Sequence, residues 1–466
     1  MRFVNTTSKT IYLSDIDRYV MFLDGNTEEI SLDDAKKSRI FQSFVATGQF
    51  SLSETGLSLF ERNLLKVAGQ ASNKKKDDVK IEYGEPTGSP EIRLVGEVYK
   101  AGGYSKVNRN LAVGLTSLGI KVQIASPTSA PSCFLNELEA RRLRQLHQPV
   151  SDQCIEIVSA VPAMAQLYGN SRYKVLLTTI ESQTIPDQFV AVMADFDEIW
   201  VSSDFCKEVL LRYRDDKPIY VIPDSIDITL YKDTVKPYKI TPKPNKFVFM
   251  SVMSLSYRKG YDVLLRAYID EFSKDDDVSL LLVTREIIHG SKREDESSKK
   301  IKEIIESYPS NSTKPHVLVY SSVIPEYKMP FVYTACDAFV LFSRGEGFGL
   351  PLCEAAMCGL PVLTTKCSGQ TMFLNDTNSL LLNVDSYSKI PQGTTNVHFW
   401  DGQEFADLTS DDFLQRARKA MREIYNNYVW YQAKNIILRK LIDKNYSIDA
   451  VSKLAKERIE QIWSKL

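Results

Sequence analysis

From position 91 onward, short apolar runs alternate with stretches in which apolar residues recur every three or four positions. Runs at 92–98 and 120–125 flank an amphipathic segment, 107–118, that closes at Gly119. Short apolar runs bounded by turn residues read as strands buried on both faces, and the longer period reads as a helix packed on them. Ala101-Gly102-Gly103-Tyr104-Ser105 is the predicted tight turn between them, so this region is one strand–helix–strand unit. Further strands are predicted at 154–160, 175–179, 198–201 and 220–222. The pattern restarts at 246–252, with a helix at 261–272 and strands at 279–283, 316–320, 338–342 and 361–364. Helices at 408–426 and 450–466 close the chain, and the charge-rich segment 286–302 reads as an exposed face. Such alternation specifies an α/β fold of two Rossmann-like, doubly wound domains in tandem, with a cleft between them.

The first 85 residues follow another pattern. Strands are predicted at 10–17 and 19–23, with Asp24-Gly25 as a turn, and Ser31-Leu32-Asp33-Asp34 starts a helix. The polar stretch 69–90, with Lys74, Lys75 and Lys76, reads as a solvated linker. The expected division is therefore a small α+β accessory module with its linker at 1–85, one Rossmann-like domain at 90–242 and a second at 243–440. C-terminal helices at 441–466 are expected to pack back on the first of the two. A length of 466 residues fits two or three cores.

Composition narrows the chemistry. Lys plus Arg total 58 against 59 Asp plus Glu, for a formal net charge of -1, so no global basic field recruits nucleic acid. The 7 cysteines are odd in number and contain no C-x-x-C pair, which fits a reducing, cytoplasmic compartment. The start lacks the apolar stretch of a cleavable leader, and no run reaches the ~18 apolar residues of a membrane span.

Two strand ends carry candidate chemistry. After the predicted strand 338–342 come Ser343-Arg344-Gly345-Glu346-Gly347-Phe348-Gly349-Leu350-Pro351, leading into a helix that bears Glu354. The glycines permit a sharp turn, and Pro351 suits a first helical turn. Two acceptor-only carboxylates beside a helix N-terminus suit a ligand with hydroxyls at its ends and an anion between them, as in a nucleotide sugar. Arg258-Lys259-Gly260 follows the first strand of the second domain, where a guanidinium fork and a compact ammonium suit a diphosphate. Asp195-Phe196-Asp197 has a metal-site form but lacks further ligands, and His147, His289, His316 and His398 have no ligand spacing.

Arg258-Lys259-Gly260, the Glu346 to Glu354 string and Ser202-Ser203-Asp204-Phe205-Cys206 resemble the retaining glycosyltransferases of GT-B architecture, family four (glycosyl transferases group 1), over about residues 91–466. The resemblance implies that Glu346 contacts the donor sugar, that Glu354 contacts the nucleotide ribose, and that Arg258 and Lys259 hold the diphosphate. Ser254, Gly347, Phe348, Gly349 and Leu350 are the further donor contacts it implies. Gly102, Gly103 and Tyr104 match the family's glycine-rich loop at the phosphates or the acceptor. Many relatives carry a histidine near 178–186; Glu181 stands in that region here, as an acceptor contact or a plain surface residue. In the run Val221-Ile222-Pro223-Asp224-Ser225-Ile226-Asp227, Asp224 and Ser225 depart from the commoner glycine-containing version.

The activity expected from the resemblance is retaining, metal-independent transfer from a nucleotide-diphosphate sugar to an acceptor hydroxyl, with no cofactor. The acceptor stays open among glycan, lipid, protein and modified nucleobase. Two other readings stay open: a sugar-nucleotide epimerase or hydrolase on the same fold, and a non-catalytic subunit that docks a protein partner or a second copy through 1–85. A nicotinamide dehydrogenase is excluded because neither first strand is followed by the glycine fingerprint.

Overall fold

The computed structural model describes residues 88–127, 135, 137–242, 244–285, 296–308, 314–321, 324–391 and 398–466, together with five short strands within 2–52. The chain divides into two units, Met1–Gly84 and Glu85–Leu466. In the first, β1 (Arg2–Asn5) lies between β4 (Thr27–Glu29) and β5 (Phe50–Leu52), antiparallel to both. A separate pair, β2 (Ile11–Leu13) and β3 (Arg18–Val20), forms an antiparallel ribbon. The helix start at Ser31 and the linker as far as residue 87 lie outside the described residues.

The second unit holds two lobes, each built on a six-stranded parallel sheet with flanking helices. In the first lobe, β6 (Glu91–Val95), α1 (Gly103–Ser117), β7 (Lys121–Ala125) and α2 (Glu137–Leu146) are followed by β8 (Ile155–Ser159), β9 (Tyr173–Thr178), α3 (Asp187–Met193), β10 (Glu198–Val201), α4 (Asp204–Leu211) and β11 (Ile219–Val221). The strand order is β11-β10-β9-β8-β6-β7. Every residue of β10 and of β8 is buried, as expected where helices cover both faces of a parallel sheet.

The second lobe runs β12 (Phe247–Ser254), α5 (Tyr261–Glu271), β13 (Val278–Arg285), α6 (Glu296–Ser307), β14 (His316–Tyr320), α7 (Met329–Tyr333), β15 (Ala338–Leu341), α8 (Leu350–Met357), β16 (Val362–Lys366) and β17 (Leu380–Asn383). Its order, β14-β13-β12-β15-β16-β17, reverses between β12 and β15. At such a reversal the following connections leave on opposite faces of the sheet, and a crevice opens beyond the carboxyl ends of the two strands. The two candidate motifs leave from these ends, Arg258-Lys259-Gly260 after β12 and Ser343 to Glu354 after β15.

Beyond β17 come a ribbon of β18 (Tyr387–Lys389) and β19 (Glu404–Ala406), then α9 (Asp411–Asn426), α10 (Tyr428–Tyr446) and α11 (Ile448–Trp463). The division expected at 440/441 falls inside α10, which runs unbroken to Tyr446 on the second lobe, where Asn435 donates to the Leu360 carbonyl. The crossing comes at Ser447, whose hydroxyl caps α11 through the Ala450 amide. Val451, Ala455, Ile459 and Ile462 of α11 then join the core of the first lobe. Among the described residues, no helix is long and apolar enough to cross a membrane. The six described cysteines are free and buried.

Candidate active site

The crevice between β12 and β15 opens into a cleft of about 550 Å³ lined by both lobes. Arg258 and Lys259 occupy a single helical turn that ends at Gly260, held at φ 65°. A side chain there would meet the Phe342 carbonyl at 1.7 Å, so only glycine lets the turn lie against the end of β15. The two strand ends are then tied together. The Arg344 amide donates to the Arg258 carbonyl at 2.7 Å, and the Arg344 guanidinium forks onto Asp262 of α5 at 2.8 and 2.7 Å.

Glu346 meets the cations directly. Its carboxylate accepts from Lys259 Nζ at 2.7 and 2.8 Å and from Ser343 Oγ at 2.7 Å, and Arg258 Nη1 lies 3.3 Å away. Arg258 also reaches Glu181 of the first lobe, Nη2 to Oε1 at 2.9 Å, and its guanidinium lies 4.8 Å from the Trp400 ring centre. Burial pushes the Glu346 carboxyl up, but Lys259 and Arg258 outweigh it and hold it below the ordinary range. For Glu181 burial wins over the same two cations, and its carboxyl sits above the ordinary range. Lys259 is shifted down by burial and by Arg258, beyond what Glu346 and Glu181 restore. This end of the cleft sets two cations, Arg258 and Lys259, against two carboxyl groups, Glu346 and Glu181.

Glu354 lies at the other flank, on the second turn of α8. Its carboxylate accepts from Tyr333 at 2.9 Å and pairs with Lys106 of α1 across the cleft. Lys106 also bonds the Tyr231 hydroxyl at 2.9 Å and lies 3.4 Å from Glu326, which pairs with Arg109. Burial lowers the Lys106 ammonium, yet Glu354 and Glu326 outweigh it and raise it. Glu326 goes the other way, its carboxyl held low by Lys106 and Arg109 against burial.

Of the expected residues, Ser254, Arg258, Lys259, Glu346, Gly347, Phe348, Gly349, Leu350 and Glu354 all line the cleft from the second lobe. Gly102, Gly103, Tyr104 and Glu181 line it from the first. Two expectations need correction. The turn expected at 101–105 ends early, because α1 already begins at Gly103 and places Tyr104 in its first turn, 3.3 Å from Thr178 Oγ1. Gly345 and Gly347 are not needed for their own backbone angles. They are glycines because the first lobe comes so close: a side chain at Gly345 would meet the Glu181 carbonyl at 1.9 Å, and one at Gly347 the Thr179 hydroxyl at 1.5 Å. Only Gly349 of the three has a left-handed conformation, φ 103°, at the start of α8.

Asp224, from the run at 221–227, also lines the cleft, as do Lys106, Arg109, Glu326, Phe399 and Trp400, which no motif announced. Their one signal is position: most follow the carboxyl end of a strand or open the helix after it. The Asp195-Phe196-Asp197 segment is a structural turn. Asp197 accepts from the Lys174 amide at 2.8 Å, and Phe196 is buried. Among the described residues, no three His, Cys, Asp or Glu converge as metal ligands.

The family model described as glycosyl transferases group 1 matches residues 234–387. The match falls on the second lobe, which is similar to glycosyl transferases group 1 over that span. Curated relatives match parts of the chain. The GPI3 subunit of phosphatidylinositol N-acetylglucosaminyltransferase from Saccharomyces cerevisiae is 26% identical over 247 residues, 50% of this chain and 52% of that protein. Sucrose synthase 1 of Hordeum vulgare is 27% identical over 225 residues, 46% of this chain and 27% of that protein. The chain thus spans about half, or less, of the length of these relatives.

Solved structures extend the likeness to both lobes. Sucrose-phosphate synthase (tll1590) from Thermosynechococcus elongatus superposes with a TM-score of 0.55 at 14% identity, over 81% of this chain and 100% of that one. Anabaena Alr3699/HepE, in complex with UDP and glucose, gives 0.52 at 15%, over 80% and 100%. At such identities the likeness is one of fold, and the fold is the two-lobed GT-B architecture.

Proposed function

We propose that the chain is a glycosyltransferase that moves a sugar from a nucleoside-diphosphate sugar to an acceptor hydroxyl, with retention at the anomeric carbon and without a metal ion. The observation that carries this reading is the placement of Arg258 and Lys259 against Glu346 at the reversal of the second sheet. A diphosphate entering the crevice offers both cations a more highly charged partner than Glu346. Released from them, Glu346 can accept from sugar hydroxyls, while Glu354 trades Lys106 for the ribose. UDP and glucose bound to Anabaena Alr3699/HepE support a donor of this class.

The chemistry follows from the charges. As the anomeric C–O bond breaks, its electron pair passes to the diphosphate and positive charge spreads over the sugar ring. Lys259, Arg258 and the start of α8 stabilise the departing phosphate in a buried setting where such donors are strongest. A phosphate oxygen then accepts the proton of the acceptor hydroxyl, whose oxygen bonds the anomeric carbon on the same face. A cytoplasmic setting, where nucleotide sugars are made, accords with this reading.

The test is incubation of the full chain with UDP-, GDP- and ADP-sugars, with and without chelator, against glycan, lipid and protein acceptors. Transfer that survives chelation and keeps the donor's anomeric configuration supports the proposal. Rapid epimerisation or hydrolysis without any acceptor supports the alternative instead, with Glu181, a carboxyl that burial shifts above its ordinary range beside Arg258, as its acid.

A further inference from the structure

Asp224 follows β11 by three residues and lines the cleft together with Tyr104 and the start of α8. The two residues that follow it are hydrogen-bonded to α1 and to the end of α10. Asn110 of α1 donates to the Ser225 carbonyl at 2.8 Å, and the Ile226 amide donates to the Tyr446 carbonyl at 2.9 Å. Its carboxyl, by contrast, has no hydrogen-bond or ion-pair partner among the described residues. Every other carboxyl among the described residues of the cleft is matched. Glu181 and Glu346 lie on Arg258 and Lys259, and Glu326 and Glu354 lie on Lys106 and Arg109. Among the described residues four cations and five carboxyl groups line the cleft, and Asp224 is the one left over.

That surplus matters for an anionic ligand. As a carboxylate Asp224 repels a diphosphate in the same cleft; as an acid it offers an O–H donor to it. The titratable groups its charge acts upon are the Tyr104 phenol of α1 and the Cys353 thiol of α8. Both are pushed up by burial and stay neutral, so neither holds Asp224 ionised. The cations of the cleft are engaged elsewhere, and burial alone raises Asp224 to about 7.

We propose that Asp224 holds the donor's diphosphate as a protonated acid, so that donor binding is coupled to uptake of one proton from solution. This rests on the donor reading above and adds to it a residue at which the chain departs from its family's commoner pattern. It makes the affinity for nucleotide sugars depend on pH near neutrality through a single side chain.

The test is calorimetric titration of UDP, and of GDP and ADP where UDP gives no heat, into the full chain and into Asp224→Asn. Buffers of different ionisation enthalpy, from about pH 6 to about pH 8.5, report the protons taken up. The free nucleotide's own terminal phosphate titrates in this range and contributes equally to both proteins. The expected difference is close to one proton above about pH 7, with wild-type Kd weakening up to about tenfold per pH unit relative to the variant. Equal uptake and parallel pH profiles overturn the proposal while leaving the donor reading standing, as does loss of binding at every pH in a folded variant. Should the variant not fold, UDP-glucose, whose diphosphate has no proton to exchange near neutrality, is titrated into wild type, and absence of uptake overturns the proposal. No heat with any of the three nucleotides at any pH removes the donor reading and this inference together.

Discussion

Lys259 is the residue on which the charge balance of the site turns, since it alone gives both of its short contacts to Glu346. Lys259→Ala is expected to lower kcat by ~10²–10³ at saturating donor, the usual loss when a preorganised donor to a leaving group is removed. Near-normal turnover in steady-state assays would show that the ammonium does not stabilise the departing phosphate. Asp224 gives a second residue-scale expectation, in stability. Its carboxyl is near 3.8 when unfolded and about 7 when folded, so the folded state binds the extra proton between those values. Wild type should therefore lose stability as pH rises from about 4 to about 7. Asp224→Asn, which has no charge to bury, should melt a few degrees above wild type at pH 8, and the gap should close near pH 4. A gap that does not change with pH in thermal denaturation contradicts this.

Helices and strands with a one-sided pattern were legible in the sequence. β10 falls where its apolar run puts it, because Ile199, Trp200 and Val201 are buried in a parallel strand covered on both faces. α10 was not legible. Val429 and Trp430 are 77% and 63% exposed and Ile436 and Ile437 are about half exposed, while Tyr431, Asn435, Leu438 and Ile442 face inward. With apolar residues on both faces the helical period disappears. The ribbon of β18 and β19 was missed because strands of three residues are too short to show an alternation. The site itself divides in the same way. Glu346, Glu354, Arg258 and Lys259 stood out by local motif, whereas Lys106, Arg109 and Glu326 meet only through the closure of two lobes distant in sequence. One element contact can be tested directly. Gly114 of α1 lies so close to α11 that a methyl group there would meet Ser452 Oγ at 1.8 Å. Gly114→Ala should cost about 1–3 kcal/mol in denaturant unfolding through overpacking of this contact. An unchanged midpoint would mean that α11 is not seated on α1 as described.

Across the whole molecule, the lobes of the second unit are joined by two chain crossings and by clasps on either side of the cleft. The segment 222–246 makes the first crossing and Ser447 the second, where Ile226 and Ser447 pair as an isolated bridge. One clasp is the Lys106, Arg109, Glu326 and Glu354 cluster. The other is formed by backbone and side chains, with the Gln183 amide on the Glu404 carbonyl at 2.8 Å and Thr184 on Gln403 at 2.9 Å. Arg109→Ala leaves Glu326 to Lys106 alone, so small-angle scattering should give the variant a larger radius of gyration than wild type. An identical radius would show that the ion pairs do not hold the lobes together. The central claim, that this cleft grips a nucleoside diphosphate through Lys259 and Arg258, is tested most directly by a crystal structure of the full chain with UDP, GDP or ADP, whichever binds most tightly. The expected result has the diphosphate within hydrogen-bond distance of both cations and the ribose on Glu354 in place of Lys106. A nucleotide bound elsewhere, with Lys259 still on Glu346 and Lys106 still on Glu354, would contradict the account.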